Sequence, residues 1–143
     1  MNEEDGVLRG RPHGGLAVLW KKDLQHCQVL HTGDERLMLF EITCDNKKLL
    51  FVNVYMPFCA SDNLPDFMFY LGKINTLIDD ADTSYTYVVG DFNADVKSYH
   101  KHVFGKELLE FCKNTGLVIS DLNMCESDTY TFFSDGGNSM SWL

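Results

Sequence analysis

The chain predicts an α/β fold with mixed sheets and helices packed outside them. Three observations carry this: two nearly continuous apolar runs that each end abruptly in polar chemistry, an amphipathic stripe between them, and turn-rich joints elsewhere. The first run, Leu49 to Pro57, reads Leu-Leu-Phe-Val-Asn-Val-Tyr-Met-Pro, and the second, Tyr85 to Asp95, reads Tyr-Thr-Tyr-Val-Val-Gly-Asp-Phe-Asn-Ala-Asp. Their β-branched and aromatic content favours strands, and unbroken apolar runs are typical of strands buried on both faces. Between them, Leu64, Phe67, Met68, Leu71, Ile74, Leu77 and Ile78 recur at helical spacing, with Pro65 suited to a first turn. Such a stripe is core packing against a sheet.

Taken in order, strands are expected near 14 to 21, 27 to 31, 36 to 43 and 48 to 55, with Asp45-Asn46 turning a hairpin between the last two. After the strand at 85 to 89, Leu108, Phe111, Cys112 and Thr115 mark a second helix, closed by Gly116. Leu117 to Leu122 reads as a further strand, and Tyr130 to Phe133 and Ser139 to Leu143 as a final pair around the loop 134 to 138. Residues 1 to 10 read as an acidic, disordered leader, and 11 to 143 as one partial domain without repeats or linkers.

With 143 residues, 45% of them hydrophobic and 23% charged, the chain has the composition of a single globular domain. No run approaches the 18 apolar residues of a membrane span, and Met-Asn-Glu-Glu-Asp is the reverse of a basic signal start. An intracellular, nuclear or cytoplasmic protein is therefore expected. Five cysteines, an odd number without Cys-x-x-Cys spacing, argue against a disulfide framework or zinc site and read as small buried side chains. His100 and His102 sit in a polar stretch and read as solvated, while His13, His26 and His31 have no ligand-spaced partners. The net charge of −9 opposes simple attraction to a phosphate backbone, though a divalent cation reverses the field at an acidic site. Lys21, Lys22, Lys47, Lys48, Lys97, Lys101 and Lys106 remain for local patches, with solvated surface their usual role.

The end of the second run holds the first candidates for chemistry. Gly90 permits a sharp exit from a strand, and ligands gather at the C-terminal ends of strands in open α/β sheets. Asp91 and Asn93, two residues apart, can aim at one group: the carboxylate as a proton acceptor or metal ligand, the amide as a donor to a phosphoryl oxygen. The competing reading is an Asx-rich turn, since Gly, Asn and Asp dominate turns for conformational reasons alone. Asp95 reads as a turn or cap residue, Asp121 as a structural contact after a strand, and Trp20 and Trp142 as core or strand-surface aromatics.

Asn-Val-Tyr-Met-Pro at 53 to 57, Gly-Asp-Phe-Asn-Ala at 90 to 94 and Gly-Gly-Leu-Ala-Val-Leu-Trp at 14 to 20 together resemble the endonuclease-exonuclease-phosphatase family. Gly-Arg-Pro-His-Gly-Gly-Leu-Ala-Val-Leu-Trp-Lys-Lys (10 to 22) and Tyr-Thr-Phe-Phe-Ser (130 to 134) are similar to the endonuclease domain of retrotransposons lacking long terminal repeats. The resemblance spans Arg11 to Leu143 and implies an incomplete two-sheet α/β sandwich. It also implies Mg²⁺-assisted phosphodiester hydrolysis on DNA. Asp91 would orient or deprotonate the attacking water, Asn93 would bond the phosphate, Tyr55 would contact the scissile phosphate, and Thr131 would bind substrate as a supporting contact.

The chain departs from the family at both ends. The two opening strands that bring an Asn and a metal-binding Glu are absent, and Glu3 and Glu4 lie outside any strand, so the metal ligand is unassigned. Ser139-Met140-Ser141-Trp142-Leu143 resembles the strand leading to a terminal Asp-His step that this sequence does not contain. The expectation is a truncated copy, inactive alone. The alternatives are a noncatalytic remnant or interaction module, associating through exposed strand edges, and a phosphatase of the same fold, since fold does not determine substrate.

Overall fold

The computed structural model describes residues 15–24, 26–31, 34–97, 100–126, 132–133 and 140–141. The elements run β1 (Cys27–His31), β2 (Leu37–Cys44), β3 (Lys47–Tyr55), α1 (Leu64–Asp79), β4 (Tyr85–Asp91), α2 (Val103–Thr115), α3 (Ser120–Met124), β5 (Phe132–Phe133) and β6 (Met140–Ser141). A four-stranded sheet has the order β1-β2-β3-β4, and β5 and β6 form a separate antiparallel pair. The first two pairings in the large sheet are antiparallel and the third, β3 with β4, is parallel. The fold is α/β with a mixed sheet.

Local chemistry accounts for most of this. Asp45 and Asn46 both take positive φ, 49° and 61°, the pair of conformations a two-residue hairpin needs to match strand twist. That turn sets an unbroken register from Cys44 opposite Lys47 to Leu37 opposite Val54. The parallel β3–β4 pair needs a crossover, and α1 supplies it, entered through a 3-10 turn at Ser61–Asn63 and with Pro65 in its first turn. At the end of α2, Gly116 adopts φ 73°, the left-handed conformation that closes a helix.

The core lies on one face of the sheet. Leu37, Leu39, Leu50, Val52 and Val54 project from β2 and β3 into a single cluster with Phe67, Leu71 and Ile74 of α1 and Phe104 and Leu108 of α2. The Phe67 and Phe104 rings meet at 4.3 Å between centroids, joining the two helices. The opposite face carries a cross-strand aromatic ladder: Phe40 stacks on Phe51 at 4.9 Å, and Phe51 on Tyr87 at 5.0 Å. Asn53 Nδ2 donates to the Ala17 carbonyl at 3.3 Å, which lays the 15–20 segment against this second face.

Several sequence expectations are corrected. Residues 15–24 form no strand; they run without regular structure into a turn at Lys22-Asp23. Leu117 to Leu122 is not a strand either: 117–119 are irregular and α3 begins at Ser120. Neither apolar run is buried on both faces. In β3 burial alternates, and in β4, an edge strand among the described residues, Tyr85, Tyr87 and Val89 are exposed because they stand on the sheet face away from α1 and α2. Met68 falls outside the buried stripe of α1, and Trp20, read as a core or strand-surface aromatic, is 47% exposed on a segment without regular structure. The cysteines, read as small buried side chains, are only partly so: Cys27 and Cys112 are half-buried, while Cys44, Cys59 and Cys125 are exposed. The leader at 1–10, Trp142 and the loop at 134–138 lie outside the described residues.

Candidate active site at the ends of β3 and β4

Tyr55, the last residue of β3, is the register partner of Asp91, the last residue of β4. Because the strands are parallel, both side chains leave the sheet at the same C-terminal edge. The pairing continues one step further, with the Met56 N–H donating to the Asp91 carbonyl at 2.8 Å.

Gly90 makes this approach possible. Its φ of 130° is closed to side-chain-bearing residues, and a Cβ there would overlap the Val54 backbone. Asn93 then turns the chain in the left-handed conformation, φ 49°, tolerated better by Asn than by most residues. Its backbone N–H donates to Asp91 Oδ1 at 2.9 Å, and its Nδ2 donates to the Met56 carbonyl at 2.9 Å. Asn93 therefore clips the turn after β4 to the end of β3. Ala94 and Val96 are buried in the main core and anchor the chain beyond the turn. Tyr55, Asp91 and Asn93 are half-buried, as is Asp95 in the same irregular stretch.

A polar cluster buttresses Tyr55 from the other side. Arg36 lies just ahead of β2; its carbonyl accepts the Tyr55 N–H at 2.9 Å and its Nη1 donates to the Tyr55 carbonyl at 3.1 Å. The guanidinium also sits 5.4 Å from the centre of the Tyr55 ring, within cation–π range. Asp34 accepts the Arg36 N–H at 2.8 Å and pairs with Lys73 of α1. Beside this cluster, burial and then the Asp34 carboxylate push the Tyr70 phenol above its ordinary value. Sequence reasoning overlooked Arg36. The signal was available, since counting outward from the two-residue turn at 45–46 places position 36 opposite 55.

The structure thus brings Tyr55, Asp91 and Asn93 together; Thr131 lies outside the described residues. Asp121 stands exposed in the first turn of α3 and does not follow a strand. Among the described residues no group of three or more His, Cys, Asp or Glu side chains is gathered to hold a metal ion. The site is an edge rather than a hole. A cavity of about 580 Å³ runs along the outer side of β4, lined by Val88, Phe92, Leu108, Phe111 and Ile119 among others, but Tyr55, Asp91 and Asn93 are not in its walls. Within it, burial pushes the Cys112 thiol above its ordinary value. Among the described residues no helix is long and apolar enough to cross a membrane. No family model matches the chain, and no curated protein matches it.

Proposed function

We propose that the ends of β3 and β4 form part of a phosphodiester-hydrolysing site of the endonuclease-exonuclease-phosphatase type, with DNA as substrate. The observation that carries this reading is the in-register pairing of Tyr55 with Asp91 at one sheet edge, with Asn93 bridging the two strand ends. In such a site Asp91 accepts a proton from, or orients, the attacking water, while Tyr55 and the second N–H of the Asn93 amide donate to the phosphate. Mg²⁺, which binds through few carboxylates plus water and phosphate, would neutralise charge on the phosphoryl oxygens, and its protein ligand in this chain is left unassigned. The wider frame of this proposal is a two-sheet sandwich of which the four-stranded sheet is one layer.

The 143-residue chain has no metal-binding Glu or terminal Asp-His pair of the family pattern, and groups that act as a unit fail together. It is therefore expected to show no Mg²⁺-dependent nicking of supercoiled plasmid above background. In a chimera carrying family segments at both ends, Asp91→Ala and Asn93→Ala should each lower kcat by about 10²-fold or more, while Asp95→Ala does little. Equal losses at all three positions would reduce the segment to a fragile turn. One observation favours a noncatalytic module instead: the Asp91 carboxylate and the Asn93 amide are both engaged in holding the turn itself. An Asn93→Ala chimera that loses stability in proportion to activity would support that second reading.

A further inference from the structure

Arg36 makes three separate contacts to one residue. It takes the Tyr55 N–H on its carbonyl, gives an Nη1 hydrogen bond to the Tyr55 carbonyl, and lays its guanidinium 5.4 Å from the centre of the Tyr55 ring. The first is an ordinary continuation of the β2–β3 ladder, available to any residue. The other two suit a planar, permanently charged guanidinium, which can bond an oxygen in its plane while its face meets an aromatic ring, a geometry that the compact ammonium of lysine matches less well. Arg36 is also the one arginine among the described residues.

The backbone at the end of β3 is held on its other side by β4, through the Met56 N–H on the Asp91 carbonyl and Asn93 Nδ2 on the Met56 carbonyl, whereas the guanidinium contacts to the Tyr55 ring and carbonyl come from Arg36. Arg36 itself is fixed from behind, its N–H on the Asp34 carboxylate, which in turn pairs with Lys73 of the core-packed helix α1. A chain of contacts therefore runs from α1 through Asp34 and Arg36 to Tyr55, whose strand partner is Asp91.

We infer that Arg36 is the positioning residue for Tyr55, setting its ring and its backbone beside Asp91. The proposed function adds what Tyr55 is held for: a phosphate group, to which the remaining guanidinium donors supply positive charge in a chain of net charge −9. The positioning itself stands apart from that reading.

The test uses the 143-residue chain, with aromatic-ring NMR spectra of wild type, Arg36→Gln and Arg36→Lys, and Tyr55→Phe to assign the Tyr55 signals. Inorganic phosphate and a short DNA duplex are then titrated in Mg²⁺-free buffer. In Arg36→Gln the Tyr55 ring signals should move while those of Tyr85 stay, and phosphate affinity should fall about tenfold, the scale of one lost charge-assisted hydrogen bond. Arg36→Lys should recover part of the phosphate affinity but leave the ring signals displaced. Tyr55 signals unmoved in both variants would overturn the inference. Should Arg36→Gln not fold, Arg36→Lys alone decides it by the same ring signals. Moved signals with no phosphate or duplex binding by wild type would uphold Arg36 as the holder of Tyr55 and count against the phosphodiesterase reading instead.

Discussion

The two faces of the four-stranded sheet are built from the same strands, yet they are held differently. On the helix side, Leu50, Val52 and Val54 are sealed under α1 and α2, with Phe67 and Phe104 in contact. On the other side, Phe40, Phe51 and Tyr87 stack across three strands, but Tyr87 remains 46% exposed and the covering segment 15–20 has no regular structure. The difference teaches that alternation along a strand, rather than overall hydrophobicity, sorts side chains between a dry core and a surface.

That contrast can be broken by mutation. Phe67→Ala should cost about 3 to 5 kcal/mol in chemical denaturation, the range for a large aromatic removed from a closed core. Tyr87→Ala on the open face should cost only about 1 kcal/mol, the scale of a lost aromatic pair at a half-wet position. Comparable losses would mean that the open face is covered as completely as the core.

Gly90→Ala comes next in size, and it joins stability to the site. Its backbone conformation and the overlap with Val54 should cost more than about 2 kcal/mol and displace Asp91, seen as a shift of the Asn93 backbone amide signal in NMR. A neutral substitution would show that the β3–β4 approach is looser than the hydrogen bond from Met56 to Asp91 indicates.

Association is the third expectation. Among the described residues the outer edge of β4 has no strand partner, and such an edge beside exposed Tyr85, Tyr87 and Val89 templates further pairing, so the chain should self-associate and bind hydrophobic dyes. Tyr87→Lys should reduce both, measured by light scattering and dye fluorescence. A monodisperse wild-type monomer without dye binding would remove the asymmetry between the faces as a functional feature.

The smallest effect concerns Cys112. Its thiol is raised by burial, and the thiolate is the reactive form, so iodoacetamide should modify it more slowly than exposed Cys44, Cys59 and Cys125. Below the ordinary thiol value both folded and unfolded states keep the proton. As pH rises past it the unfolded state ionises first, so stability falls with alkalinity. Cys112→Ala should flatten part of that fall in urea midpoints taken across the alkaline range.

Much of the architecture was legible because it is local. Asp45-Asn46 turns the hairpin, Phe67, Leu71 and Ile74 repeat at helical spacing, Gly116 ends α2, and Gly90-Asp91-Phe92-Asn93 marks a strand exit, each through the conformational preferences of a few neighbouring residues. The meeting of Asp91 with Tyr55 was readable only as two strand ends, and nothing in either run specifies that they pair in parallel with those residues opposite. Leu117 to Leu122 shows the limit most clearly. Its apolar content suits a strand, but a strand needs a partner for its ladder, whereas a helical turn such as that closed by Cys125 N–H on the Asp121 carbonyl satisfies itself.

The sequence by itself therefore determined the periodicities, the turns and the residue types delivered to the sheet edge, because these depend on backbone sterics and side-chain spacing. Tertiary structure alone decided that β4 stands at an edge among the described residues, that the aromatic ladder faces away from the helices, and that Arg36 closes on Tyr55. Each of these rests on which segments pair across the chain, and that choice is made by burial and hydrogen bonding among residues distant in sequence.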